Sequence, residues 1–113
     1  MNPAPALPLD SLAHLESGEL VERLRLSDRA AFGELFDRFH QPLFRYAARI
    51  VSREDALDVT QDVFAQLWEM RGALAVRVSL QSLLYRMTRN RSLNVRRKLK
   101  RCRLYNSDAA DAP

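Results

Sequence analysis

Apolar residues recur along this chain at intervals of three and four, and no stretch alternates between apolar and polar as a half-buried strand would. The clearest apolar stripe follows Asp28, a residue type that commonly caps helix N-termini. Its members are Phe32, Leu35, Phe36, Phe39, Leu43, Phe44, Ala47, Ile50 and Val51. Pro42 lies within the stripe, and because the stripe keeps its phase across the proline, the pattern predicts one kinked helix rather than two.

A second amphipathic stretch begins at Ser52, which has an acidic residue, Asp55, three positions later. This spacing is typical of a capping box at a helix start, and the helix is expected to reach about Arg71. Its inner face is predicted to consist of Ala56, Val59, Val63, Phe64, Leu67 and Trp68.

The last helix is predicted to start after Ser79, its N-cap, and to run to Arg103. Its first half is expected to be buried through Leu80, Leu83, Leu84 and Met87. Beyond Asn90 the apolar stripe thins and basic residues take over. This helix therefore begins in the core and ends as a basic arm.

A short helix over Leu12–Leu26 completes the expected elements. The Pro-rich residues 1–11 are predicted to be a flexible leader, and residues 104–113 a disordered segment. The fold class is therefore all-α, a small bundle of three main helices plus a short N-terminal helix, with one domain over residues 12–103.

Composition excludes several classes of function. No apolar run approaches the roughly 20 residues that span a bilayer, so direct membrane insertion is not expected. Cys102 has no second cysteine to pair with, and His14 and His40 lack metal-ligand spacing. With no metal site, cofactor motif or catalytic constellation, the sequence indicates a cytoplasmic protein that is not an enzyme and takes no small-molecule substrate.

Charge is segregated along the chain. Residues 1–69 contain 7 basic and 12 acidic residues, whereas residues 70–107 contain 11 basic residues and no acidic one. Without acids one turn away, the positive charges of a helix repel one another, which favours an external polyanion as partner. A phosphate backbone fits this pattern better than a membrane surface, because the basic half lacks a strong apolar face.

Within the basic field, Asn90 and Asn94 lie four residues apart, on one helical face. Asparagine can make bidentate hydrogen bonds to a base edge, although both residues could equally be solvated or bonded locally. The candidate phosphate contacts are Arg86, Arg89, Arg96, Arg97, Lys100 and Arg101.

The helix predicted between Ser52 and Arg71 has an acidic and polar outer face. It carries Asp55, Asp58, Gln61, Asp62, Gln66 and Glu69. Such a face is either solvated surface or the docking site of a partner rich in Arg and Lys.

Three segments together resemble region 2 of the extracytoplasmic-function sigma factors of bacterial RNA polymerase. They are "RAAFGELFDRFHQPLFRYAARIV", "REDALDVTQDVFAQLWEMR" and "SLQSLLYRMTRNRSLNVRRKLKR". Their order and spacing fit over about Leu20 to Arg103. The resemblance implies a transcription initiation domain that binds core RNA polymerase and recognises and melts the minus-ten promoter element.

The resemblance also assigns partners to the acidic helix. In the family, the helix matching Asp55–Arg71 docks on the clamp helices of the polymerase's largest catalytic subunit. Asp58, Gln61 and Asp62 match the polar contact positions of that helix. We expect the polymerase-binding set to include their neighbours Asp55 and Gln66 as well.

For the basic helix, the resemblance implies promoter DNA as the binding partner. Asn90 and Asn94 match positions near the upstream edge of the minus-ten element, and the loop matching Gly72–Val78 helps to capture a flipped base. Many family members have Trp at the position of Leu83 and an aromatic residue near Leu74, so a stacking role does not transfer to these leucines.

The family's second domain, a helix-turn-helix, does not occur in these residues, and residues 104–113 match the start of the linker to it. The segment "SLQSLL" resembles the branch of these factors that anti-sigma proteins often control. The resemblance therefore also implies an anti-sigma factor as a partner. The residues alone are also compatible with two other functions. One is a regulatory module that binds polymerase or an anti-sigma factor without recognising a promoter, and the other is a basic protein that coats nucleic acid.

Overall fold

The computed structural model describes residues 12–75 and 79–111, and the side chains of the second segment as far as Tyr105. Four α-helices make up most of these residues: α1 (Ser17–Arg25), α2 (Arg29–Ala48), α3 (Arg53–Glu69) and α4 (Leu80–Asp111). The described segments contain no strand, which confirms the all-α class. None of these helices combines the length and hydropathy needed to cross a bilayer.

The helix predicted over Leu12–Leu26 is interrupted: Leu12 and Ala13 are helical, a turn follows at His14 and Leu15, and α1 begins at Ser17. The backbone N–H of Glu16 donates to the Glu19 carboxylate at 3.1 Å, and this contact starts the helix at Ser17. Leu12 is nevertheless buried, and its carbonyl accepts a hydrogen bond from Arg38 of α2 at 3.1 Å. The segment before α1 is thus attached to α2 by hydrogen bonds from the Arg38 side chain to backbone carbonyls as well as by apolar packing. The predicted leader, residues 1–11, lies outside the described residues.

Helix α2 begins and continues as its sequence pattern indicates. The Asp28 carboxylate accepts hydrogen bonds from the N–H groups of Ala30 and Ala31 at 3.0 and 3.3 Å, which confirms the predicted cap. The helix continues through Pro42 as one element and ends at Ala48. Ser27, in the turn before the cap, has φ of 65°, the left-handed conformation that reverses the chain between α1 and α2.

The aromatic residues of α2 and α3 pack against each other at the centre of the bundle. The Phe32 ring lies edge-on to Phe64 at 6.3 Å and to Trp68 at 5.3 Å, and Phe36 lies 4.8 Å from Phe64. Ser52 caps α3 by accepting a hydrogen bond from the Asp55 N–H at 3.1 Å, the first half of the predicted capping box. These contacts fix the angle between the two helices and with it the direction of the α3 outer face.

Helix α4 attaches to the bundle through its first half. Ser79 accepts a hydrogen bond from the Ser82 N–H at 3.3 Å, in agreement with its predicted role as N-cap. Leu80, Leu84, Thr88 and Ser92, spaced by one turn each, are all buried. Leu83 and Met87, expected to be buried, are only partly so and pack at the border of the core.

The second half of α4 projects beyond the bundle. Every described residue from Arg96 to Tyr105 is exposed. The helix runs to Asp111, past the expected end at Arg103, so the chain continues as helix into the segment that the sequence indicated to be disordered. The division into a domain over 12–103 and a following linker stays a prediction.

Two hydroxyls on the buried side of α4 have no partner. Thr88 and Ser92 are both 0% exposed, and the Thr88 Oγ1 and Ser92 Oγ atoms make no hydrogen bond to any described residue. Thr60 of α3 provides a contrast, because its buried Oγ1 donates to the Ala56 carbonyl at 2.7 Å. A buried hydroxyl without a partner lowers stability by the cost of removing it from water.

We expect Thr88→Val, which replaces the unpaired hydroxyl by a methyl group of similar size, to raise the free energy of unfolding by about 1 kcal/mol. Thr60→Val is the matched control, and it should lower that free energy or leave it unchanged because it removes a formed hydrogen bond. Urea unfolding followed by circular dichroism measures both. A lower stability for Thr88→Val than for the wild type would contradict this account.

Candidate nucleic-acid interface

The buried stripe of α4 determines which side chains face outward. Because Leu80, Leu84, Thr88 and Ser92 occupy one side, residues on the opposite side have no core to enter. All eight side chains that the sequence proposed for DNA binding are exposed: Arg86, Arg89, Asn90, Asn94, Arg96, Arg97, Lys100 and Arg101.

The two asparagines share a shallow depression on this outward face. Its volume is about 350 Å³, and its lining consists of Arg89, Asn90, Leu93, Asn94 and Arg97. Arg97 Nη1 lies 3.4 Å from Asn94 Oδ1, so a guanidinium and an amide are already oriented toward one another. The depression therefore presents amide groups able to pair with a base edge between arginines able to hold phosphates.

The positive charge of this face is not neutralised within the described residues. Four ion pairs occur there, and among the basic residues of α4 only Arg91 takes part in one. The guanidinium and ammonium groups of the outward face are therefore available to an external anion.

Arg91 differs from its basic neighbours because it points toward α3. Its Nε and Nη2 atoms donate to Gln66 Oε1 at 3.2 and 2.9 Å, and its Nη1 lies 3.7 Å from Asp62 Oδ2. Arg91 thus connects the helix proposed for DNA to the helix proposed for polymerase. The sequence could not indicate this contact, since a basic run gives no sign of which member faces a neighbouring helix.

The acidic face of α3 is divided by that contact. Asp58 and Gln61 are exposed and make no side-chain hydrogen bond to the described residues, whereas Asp62 and Gln66 contact Arg91. Asp55 is partly buried in the first turn. Leu57, one turn before Gln61, is 53% exposed, and the sequence analysis did not identify it. The most accessible part of this face therefore combines a carboxylate, an amide and an apolar side chain.

The loop between α3 and α4 is anchored at the end that follows α3. A short 3₁₀ turn covers Arg71–Ala73, and Leu74 is buried in the core rather than presented to a ligand. Arg71 Nε donates to Ser27 Oγ at 2.8 Å, and its guanidinium lies 4.0 Å from the centre of the Trp68 ring. Residues 76–78 of the loop expected to capture a base lie outside the described residues.

A second basic surface escaped the sequence analysis. Residues 38–53 contain four arginines and no acid, but their charge was hidden when it was summed over residues 1–69. Arg45 and Arg49 of this segment are exposed, and together with Pro42, Tyr46 and Tyr85 they line a depression of about 260 Å³ between α2 and α4. A shorter window of charge would have found this segment.

Comparison with known proteins identifies the family of the chain. The family model for sigma-70 region 2 matches residues 35–102, more than half of the chain, so the chain belongs to the sigma-70 region 2 family. This confirms the resemblance found in the sequence. No match to the chain was found among curated proteins.

A solved structure is similar over most of the chain. It is the NMR structure of an engineered region 2 of sigmaE in complex with GTAAAA, with a TM-score of 0.71 and 26% sequence identity. The match covers 77% of this chain and 92% of that one. It agrees with an assignment to the extracytoplasmic-function type of sigma factor.

The Arg91 contact leads to a prediction about stability. Arg91→Gln should lower the free energy of unfolding by about 1 kcal/mol, since it removes charge-assisted hydrogen bonds between α3 and α4 that are partly shielded from water. Arg97→Gln, on the exposed side of the same helix, should change it by less than about 0.5 kcal/mol. Urea unfolding of the two variants measures the difference, and equal midpoints would show that the Arg91 contact contributes nothing to stability.

Proposed function

We propose that this domain joins core RNA polymerase to promoter DNA during transcription initiation, with α3 as the polymerase-binding helix and α4 as the helix that contacts the minus-ten element. One observation carries the proposal: α4 holds an acid-free, exposed face of arginine, lysine and asparagine beside an acidic face of α3 in a region 2 fold. The acidic face of α3 favours a basic partner, and the basic face of α4 favours an anionic one.

The DNA half of the proposal is supported by the chemistry of the α4 face. Arginines on successive turns follow a phosphate backbone, and contacts to phosphate position a protein without reading sequence. Asn90 and Asn94 add amide groups that can distinguish bases. The similar sigmaE domain was solved with GTAAAA, and we infer that a related segment of promoter DNA occupies the α4 face here.

The polymerase half is supported by the accessible part of α3. Asp58 and Gln61 are exposed, and exposed Leu57 adds an apolar contact to them. Polar groups around an apolar side chain are common at protein interfaces. We infer that this surface binds the clamp helices of the largest catalytic subunit, with Asp55, Asp62 and Gln66 at its border.

The same proposal implies a cellular location for the protein and a further protein partner. A domain that works on polymerase and promoter DNA acts in the bacterial cytoplasm and has no catalytic role of its own. We infer that an anti-sigma factor controls it by covering one of these two surfaces.

Charge reversal on α3 tests the polymerase surface. Asp58→Lys with Gln61→Lys should abolish capture of core polymerase, because two positive charges would face a basic partner. These positions are preferred to Asp62, whose contact with Arg91 would also be lost. The measurement is a pull-down with purified core polymerase after circular dichroism has shown that the variant is folded.

A matched control comes from α2. Asp37→Lys with Gln41→Lys makes the same two substitutions at exposed positions on another helix, and it should leave capture unchanged. If the α3 variant captures polymerase as well as this control does, α3 is not the docking helix. A domain that captures polymerase but shows no promoter preference in its presence would instead be the regulatory module considered above.

Base reading by Asn90 is tested separately. Asn90→Ala should lose about 1–3 kcal/mol of discrimination at one promoter position, because it removes a base-edge contact. Arg97→Ala should weaken binding to all sequences alike and make the salt dependence less steep. Fluorescence titrations with a set of promoter variants measure both effects, and a uniform loss for both substitutions would show that Asn90 does not read sequence.

A further inference from the structure

The accessible part of α3 surrounds an exposed leucine with acids. Leu57 is 53% exposed, and two exposed acids flank it, Glu54 three residues before it and Asp58 directly after it. Neither carboxylate forms an ion pair within the described residues. Because Glu54 and Asp58 are four residues apart on the helix, their negative charges also repel each other. We call these three residues the acidic leucine patch.

The exposed end of α4 has the same form with the opposite charge. Leu104 is 58% exposed, and the exposed side chains of Lys100 and Arg101 lie four and three residues before it. These two basic groups form no ion pair in the part of the chain that the structure describes. Arg97, four residues before Arg101, adds a further repelling charge on the same side of the helix. Leu104, Lys100 and Arg101 are the basic leucine patch.

The two patches cannot meet within one molecule. Arg97 and Leu104 follow Asn90 at intervals of seven residues, so Leu104 continues the outward side of α4, opposite the buried stripe. The helix is unbroken from Leu80 to Asp111, so its end cannot fold back on α3. The complement of each patch is therefore accessible only on a second copy of the chain.

We propose that two copies of the chain pair reciprocally, with the basic leucine patch of each copy on the acidic leucine patch of the other. The leucines then pack against each other and lose apolar area to water, while the basic side chains meet the carboxylates and relieve the repulsion within both patches. Each copy carries both patches, so the contact forms twice and the assembly closes as a dimer.

The charges favour this arrangement over contact between two basic ends. Two basic leucine patches could also pack leucine on leucine, but they would bring like charges together, which costs free energy at an interface. The acidic leucine patch offers the same apolar contact with the opposite charge. A second copy that presents its α3 therefore matches the end of α4 in both respects.

Pairing of this kind also withholds the surfaces proposed for polymerase and for DNA. Leu57 and Asp58 belong to the proposed polymerase surface, and Lys100 and Arg101 belong to the proposed DNA-binding set. Either partner would separate the copies by mass action, because it binds a surface that only the single copy exposes. This consequence rests on the proposed function, whereas the pairing itself rests on the charges and the exposed leucines.

Charge reversal and its rescue test the pairing with the full chain. Glu54→Lys with Asp58→Lys, and in a second variant Lys100→Glu with Arg101→Glu, should each weaken self-association at least about tenfold, because like charges then face each other. An equimolar mixture of the two variants should associate again, since every patch of one variant meets its complement on the other. Sedimentation equilibrium measures the assemblies over a range of concentrations, after circular dichroism has shown that the variants are folded.

Matched reversals at other exposed positions are the controls. Glu22→Lys with Asp37→Lys, and Arg45→Glu with Arg49→Glu, change the net charge by the same amounts outside the patches. Both should leave the association constant unchanged. An equal loss in the controls and in the patch variants would show an effect of net charge alone and would overturn the proposal.

The apolar part of the contact is tested by single substitutions. Leu57→Ser removes a leucine from both contacts of the dimer and should weaken association by about tenfold. Leu26→Ser is the matched control, because Leu26 is 83% exposed in the turn between α1 and α2 and belongs to neither patch. Equal association of these two variants would contradict the leucine contact.

Three further results would overturn the pairing. One is a wild-type chain that stays monomeric up to about 1 mM at low salt. Another is a mixture of the two charge-reversed variants that does not associate. The third is continued association of the Glu54→Lys, Asp58→Lys variant, which would show that basic ends pair with each other or are bridged by nucleic acid. Because sedimentation uses neither polymerase nor DNA, each of these results would leave the proposed function standing.

Discussion

The burial of one side of α4 against α2 and α3 is the constraint on which both proposed surfaces depend. From Leu80 to Ser107 this helix holds nine basic residues and no acid, so it is opposed by its own electrostatic repulsion. Leu80 and Leu84 offset that repulsion by apolar burial, and the small side chains of Thr88 and Ser92 continue the contact for two more turns. Where this stripe ends, the helix leaves the bundle, and its last described turns are exposed.

The same packing sets two charged faces side by side. The exposed acids of α3 and the exposed bases of α4 belong to adjacent helices, and Arg91 connects them by hydrogen bonds to Gln66. The two faces are therefore connected by a short and partly shielded contact. The arrangement suits a protein that must hold two large partners of opposite charge at once, because neither partner has to cross the surface used by the other.

Those features that depend on neighbours in the chain could be predicted from the sequence. The caps at Asp28 and Ser79 were found because a capping side chain bonds to a backbone group two or three residues away. The exposure of the eight proposed DNA-binding residues of α4 could be predicted because most members of a basic run face solvent. Contacts between distant residues could not be predicted, and the inward turn of Arg91 and the pairing of Tyr46 with Tyr85 are of this kind. The break before Ser17 was missed for a different reason, since the cap of α1 uses a glutamate pair rather than the commoner Ser, Thr, Asp or Asn.

The position of Trp68 has a spectroscopic consequence. It is the only tryptophan of the chain, and its half-buried indole lies beneath the Arg71 guanidinium where the 3₁₀ turn meets the Ser27 turn. Its emission therefore reports on this corner of the bundle, where its aromatic and cationic partners lie on α2 and in the 3₁₀ turn. Loosening of the loop would change the colour and intensity of that emission while the far-ultraviolet signal, dominated by the long helices, stayed constant. Two optical signals from the unlabelled protein can thus separate a local opening from the unfolding of the whole domain.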